Sequence, residues 1–239
     1  MPTRGDDAED PAPSHRMAAL EAENSALRLQ LEEAEQHNHL LRAELHHRVR
    51  NVLSVINAIA RRTAETSRTP EDYALHLEGR IGAIARAQSV VMRNARSRVD
   101  LQELLAEELL AHAALEGEQV SLDGPGVALS GRAVEAMWLA VHELAVNAVK
   151  YGALSAPTGR IAITWIADQN GQGRTVRLQW RERGCPPPEP PGRPGFGTEV
   201  IERTLQYELG AKGNLRFEPD GIDCTLVVPL SPNVSLDPA

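Results

Sequence analysis

The 239-residue chain reads as an α+β protein. A coiled coil leads into a helical hairpin that forms a four-helix bundle in a dimer, and an α/β sandwich with helices on one face of a mixed sheet follows. Three observations predict this. An apolar heptad starts at Met17, a helix-breaking "TSRTPED" divides two long helical stretches, and short alternating segments with turn signals fill the second half.

The heptad places Met17, Asn24, Leu31, Asn38 and Leu45 at position a, and Leu20, Leu27, Ala34 and Leu41 at d. Charged residues such as Glu21, Arg28, Glu35 and Arg42 flank it at e, and Asn at a favours a dimer. The alternative is one long solvated helix. No Pro or Gly interrupts the run through "ELHHRVRNVLSVINAIARR", so helix is expected to about Arg62. Thr69 then offers an N-cap, Pro70 suits the first helical position, and Glu71 and Asp72 favour the positive helix end, giving a second helix to about Ala95.

Beyond it, "DLQELLAEELLAHA" is a short helix and "QVSLDGPGVALSG" two short strands around a turn. Gly131 to Tyr151 is helical. "RIAITWIAD" and "TVRLQWRER" are strands joined by "QNGQG". A Pro/Gly-rich loop leads from Gly184 to Gly197 and a further helix. "GNLRFE" and "DCTLVVPL" close the domain as a hairpin. The expected divisions are a disordered tail over 1–16, the coiled coil over 17–43, the hairpin over 44–97, the sandwich over 98–230 and a C-terminal tail over 231–239.

Composition narrows the function. With 33 acidic and 25 basic residues, a net charge of -8, and few aromatics (three Trp, three Tyr and two Phe), the chain is a poor nucleic-acid binder. No apolar run approaches the ~20 residues of a membrane span. Cys185 and Cys224 have no metal-site spacing, and the acidic, Pro-containing N-terminus is no signal peptide, so a reduced cytoplasmic setting is expected.

Two stretches carry chemistry. On the first helix, Val49, Val52, Ile56 and Ile59 lie within about 40° of Leu45 and form the buried stripe, while His47 falls at about 200°, opposite it. Asn51 lies one turn on. A neutral, solvent-facing imidazole is a good nucleophile, although a lone exposed histidine is also an ordinary surface residue. In "EAMWLAVHELAVNAVKYGALS", Val134, Trp138, Val141, Ala145 and Ala148 form an apolar face. Glu143, Asn147 and Lys150 make a polar stripe on the other side, below the small Ala136 and Ala140. Hard oxygen donors suit Mg²⁺ and an ammonium suits phosphate; an ordinary solvated face is the plain alternative. Glu182 then ends a strand beside Gly184, which lets a ligand approach closely, and Gly195 and Gly197 precede a helix start suited to an anion.

In this order the motifs resemble the bacterial sensor histidine kinases of the HWE type, within the GHKL superfamily. "HHRVRN" resembles their phosphoacceptor box, "HELAVNAVKYGALS" their N box with His142, "WRERG" their Glu box and "GFG" their second glycine box. The likeness runs from about Glu44 to Leu230. It implies a Bergerat-type ATP-binding sandwich and a protein-histidine kinase using ATP and Mg²⁺. His47 would be the phosphoacceptor and Asn147 the Mg²⁺ ligand. Glu143 would polarise the imidazole or orient water on the metal, Lys150 and Tyr151 would border the phosphates, and Glu182 would receive the adenine amino group. A response-regulator receiver domain is the implied partner and a homodimer the implied assembly. Residues 1–43 are too short for a sensor domain, so the signal is expected from a separate sensor protein, the coiled coil itself or a domain absent from this chain. His142 either contacts nucleotide or supports the fold, the latter being favoured by its place on the flank of the stripe. Trp180 reads as core. Cys185 stands where the family usually has a second glycine, and six prolines stiffen "CPPPEPPGRP", which implies a short lid of limited mobility. A dimeric histidine phosphotransfer adaptor without catalysis is the competing reading.

Overall fold

The computed structural model describes residues 13–93, 98–112, 114, 119–170, 173–185 and 195–236, without the side chains of His47 and Asn51 among others. The two residues at the tip of "QNGQG", 171–172, and residues 186–194 of the Pro-rich loop fall outside the described residues. The chain divides into two compact units, Met1–Asn57 and Ala58–Ala239.

In the first unit, α1 (Pro13–Thr66) is unbroken through the heptad and the histidine box. It begins inside the stretch expected to be a disordered tail, because Pro13 suits a first helical position; residues 1–12 lie outside the described ones. Met17, Leu20, Leu27, Leu31 and Leu45 are all more than half exposed in the single chain.

The second unit contains the end of α1 and α2 (Pro70–Arg93). The Thr69 hydroxyl accepts the Asp72 N–H at 3.1 Å, so the expected N-cap forms. After β1 (Arg98–Asp100), Asp100 caps α3 (Leu101–Ala111) by accepting the N–H groups of Gln102 and Glu103. The following elements are β2 (Val120–Asp123), β3 (Val127–Ser130), α4 (Arg132–Lys150), a 3₁₀ turn (Ala153–Ser155), β4 (Arg160–Asn170) and β5 (Gly173–Arg183). Next, α5 (Phe196–Glu199), a π-turn (Val200–Thr204) and α6 (Leu205–Leu209) run on without a gap. The chain closes with β6 (Lys212–Glu218), β7 (Gly221–Pro229) and β8 (Val234–Leu236).

Two sheets result. The five-stranded one has the order β2-β4-β5-β7-β6, parallel only between β2 and β4. The three-stranded one has the order β1-β3-β8 and is antiparallel. β8 corrects the expected C-terminal tail: Val234 is buried and pairs with Leu129, so the domain extends past Leu230. β2 and β3, expected together around one turn, belong to different sheets.

Alternation decides what the large sheet buries. On β5, Val176, Leu178, Trp180 and Glu182 point to one face at a spacing of two, and all four are buried. Ile161, Ile163 and Trp165 of β4 and Ile222, Cys224, Leu226 and Val228 of β7 do the same. Leu101, Met137, Val127, Leu129, Leu178, Val228 and Val234 line one small apolar cavity, so α3, α4 and both sheets share a core. Trp180 is fully buried within that core, and Cys224, whose thiol burial pushes up to about 12, is inert.

Candidate nucleotide site

α4 is Ala-rich and carries its bulky residues on one side. Val134, Trp138, Val141, Ala145 and Ala148 are all buried, as the pattern requires. The opposite stripe is not an ordinary solvated face, the plain alternative for this helix. Ala136, Ala140 and Glu143 are buried too, because α2 packs over them. The close approach is possible because α2 presents Gly79, Ala83 and Ala87 at a spacing of four; the two alanines are fully buried. A Cβ on Gly79 would sit 3.1 Å from His142 Nε2.

Arg80 crosses this interface. Its Nε donates to Glu143 Oε1 at 2.8 Å and its Nη2 to Oε2 at 3.1 Å. Nη1 donates to the Thr63 hydroxyl at 2.8 Å, and the guanidinium lies 3.8 Å from the Phe196 ring centroid. Both ends of the ion pair are less than a tenth exposed. One turn earlier on α2, His76 Nε2 lies 2.6 Å from Lys150 Nζ, and its Nδ1 lies 3.3 Å from Asp72 Oδ1. A neutral imidazole satisfies both neighbours. Burial and then the Lys150 charge hold its pKa below the ordinary value, with Asp72 opposing.

Around this core the structure gathers part of the expected site. A Cβ on Gly197 would meet Glu143 at 3.3 Å and the Asn147 amide nitrogen at 3.4 Å, so the second glycine motif packs directly on the N box. Asn147 and Lys150 are half-buried and Tyr151 is exposed. Gly195 has open space beside it. Glu199 of α5 pairs with Arg62, at the end of α1.

Glu182 stands apart from that group and is fully enclosed. Its Oε2 accepts the Ala153 N–H at 2.8 Å and its Oε1 the Trp180 indole N–H at 3.0 Å. Among the described residues it makes no salt bridge to the neighbouring Arg181 or Arg183, which pair with Asp223 and Asp220. Burial pushes the Glu182 carboxyl up, and the two donors pull it back. A Cβ on Gly152 would lie 2.0 Å from Oε2, so glycine there is a requirement of this carboxylate. Gly184 has a need for glycine within the chain itself. At φ +75° its close neighbour is the Thr158 carbonyl, 2.8 Å from where a Cβ would be, so its freedom serves the chain's own turn. Cys185 is buried and its thiol points to the Asp220 carbonyl at 3.6 Å.

His142 supports the fold. Its Nδ1 lies 2.7 Å from Glu108 Oε1, and His112 Nε2 lies 3.1 Å from the same oxygen. Arg86 donates to both oxygens at 2.9 and 3.0 Å, and the Trp138 indole N–H joins them. Glu108, His112 and His142 have the residue types of a metal centre, with donor atoms within 4.8 Å of one another, but Arg86 already balances the carboxylate. Burial alone would raise the Glu108 carboxyl; the two histidines and then Arg86 hold it well below the usual range. Replacing it by Ala is expected to cost about 3 kcal/mol in urea unfolding at pH 7, since several donors lose their acceptor. Because the folded pKa is depressed, that contribution is present above the ordinary carboxylate range. It is lost only as pH falls toward the depressed value. A loss below about 1 kcal/mol would contradict this role.

Arg80, Thr63, Phe196, His76, Glu108 and Arg86 were not singled out by sequence pattern. The one available signal was the Gly79-Ala83-Ala87 spacing, which marks α2 as a helix packed close against another.

Residues 44–126 match the HWE histidine kinase family. A blue-light-activated histidine kinase of Brucella ovis is 30% identical over 201 residues, 84% of this chain and 41% of that protein. That of Brucella anthropi is 29% identical over 202 residues. The chain thus spans about two-fifths of the length of these curated relatives. Among solved structures, a blue-light activated histidine kinase of Erythrobacter litoralis superposes with a TM-score of 0.51 at 18% identity, over 79% of this chain and 58% of the other, a likeness of fold. The family match begins at the histidine box and runs through the start of the sandwich, and it is this stretch that is assigned to the HWE histidine kinases.

Proposed function

We propose that the chain is an ATP-dependent protein-histidine kinase that autophosphorylates His47 and passes the phosphoryl group to an aspartate of a response-regulator receiver domain. The observation that carries this reading is the packing of Gly197 on Glu143 and Asn147, which joins the second glycine motif to the polar groups of the N box. The amide oxygen of half-buried Asn147 suits Mg²⁺, which keeps waters and takes most other ligands from substrate phosphates. Bound there, the metal would neutralise phosphate charge. Lys150 supplies a cation to the phosphates at the end of the same stripe. Glu143 orients a proton-bearing group, and His47 accepts the phosphoryl group as a nucleophile. Tyr151 borders the site from its exposed position.

Glu182 reads the base. Two of the roughly four acceptor sites of its carboxylate are taken by Ala153 and Trp180, and the adenine amino group takes another once the enclosed side chain is opened to the ligand. Guanine presents a carbonyl oxygen there. Two opposed acceptors in an enclosed position cost on the order of 2–4 kcal/mol, roughly 30- to 1000-fold in affinity. Unlabelled GTP is therefore expected to displace labelled ATP only at a large excess. Displacement at equal concentration removes Glu182 from the site, and no ATP binding at all favours the adaptor reading.

The exposed heptad of α1 is the dimer seam in this reading. Light scattering is expected to give a dimer for the full chain and weaker association once residues 1–40 are removed; a monomeric full-length chain contradicts it.

A further inference from the structure

Within the second compact unit, α2 and the end of α1 engage the polar groups to which the nucleotide site has been assigned. Arg80 takes both oxygens of Glu143, His76 takes the ammonium of Lys150, and Arg80 also covers the ring of Phe196, next to Gly197. Arg62 holds Glu199 at the other end of α5. His76 and Arg80 are one turn apart on α2; Glu143 and Lys150 are two turns apart on α4.

These contacts compete with the chemistry. A carboxylate with each oxygen accepting from one buried guanidinium is a poor base and has little freedom to direct water or an imidazole. An ammonium donating to His76 Nε2 is not aimed at a phosphate. Thr63 fixes the third guanidinium nitrogen, so Arg80 has no easy alternative rotamer while α1 and α2 stay in place.

We propose that Arg80 and His76 form an autoinhibitory clasp, by which the helical hairpin withholds Glu143 and Lys150 from nucleotide until α2 shifts. The proposal rests on the nucleotide-site reading above. An open state populated to only a fraction lowers apparent affinity by that fraction, so weakening the clasp raises nucleotide affinity and labelling. Damage to the fold lowers both, which separates the two effects.

The test uses the full chain and three proteins, wild type, Arg80→Gln and His76→Ala, each checked for a cooperative thermal melt. ATP affinity is measured by calorimetry with Mg²⁺, and the initial rate of labelling with γ-labelled ATP. Arg80→Gln keeps one donor for Glu143 and is expected to raise the labelling rate about tenfold and to tighten ATP binding. His76→Ala, at a half-buried position, is expected to tighten ATP binding by a smaller factor. A folded Arg80→Gln protein with wild-type or lower affinity and rate overturns the clasp. If that variant does not fold, His76→Ala decides, and unchanged or weaker ATP binding overturns it. Absence of ATP binding in all three proteins removes the nucleotide-site reading itself, and the clasp with it.

Discussion

His47→Ala is expected to abolish phosphoryl labelling while ATP affinity stays within about twofold of wild type. The reason is positional. His47 follows the apolar stripe of Leu45, Val49, Val52 and Ile56 at about 200°, outside the face that a dimer seam or bundle would bury. On the proposed reading its loss would remove the attacking nitrogen and no part of the nucleotide site. His46, at about 100° on the shoulder of the stripe, has no such part, so His46→Ala is expected to retain most labelling. Label on the His47→Ala protein would withdraw the assignment.

Asn147→Ala carries the second large effect. Its amide is the uncharged oxygen donor of the N-box stripe, half-buried beside Gly197. On the proposed reading the metal would lose its protein ligand without it, and the γ-phosphate both charge neutralisation and positioning. Removing one preorganised electrostatic partner of a reacting group costs about 10²–10³ in rate, and loss of the metal itself costs more. Phosphoryl transfer is therefore expected to fall below detection with the melting temperature nearly unchanged. Normal turnover in Asn147→Ala would refute the role.

Legibility in the sequence followed the strength of local pattern. α1, α2, α4 and the β4–β5 pair have many repeats of their period, and their types and approximate limits are readable from it. β1 and β8 are three residues each, too short for alternation to show, and only their pairing with β3 defines them. Glu143 shows how residue type misleads. A stripe of Glu, Asn and Lys gives no sign in the sequence of a helix lying over it, yet Arg80, 63 residues away in the chain, neutralises the Glu and lets α2 cover it. The full burial of Glu182 was legible as well, though only its place at a strand end was read. That residue follows Trp180 by two on a strand, so the face that buries the indole buries the carboxylate as well. Gly184 illustrates a third limit, because a glycine needed for a positive φ against Thr158 looks the same in sequence as one needed by a ligand.

On the proposed reading the chain moves the γ-phosphoryl group of ATP onto a histidine. The most direct measurement of this transfer is incubation of the full chain with γ-labelled ATP and Mg²⁺, followed by acid and alkali treatment of the labelled protein. A phosphoramidate at histidine predicts label that is lost in acid and retained in alkali. Label that survives acid and is lost in alkali marks a hydroxyl acceptor and contradicts the account, as does a folded, ATP-binding chain that takes up no label.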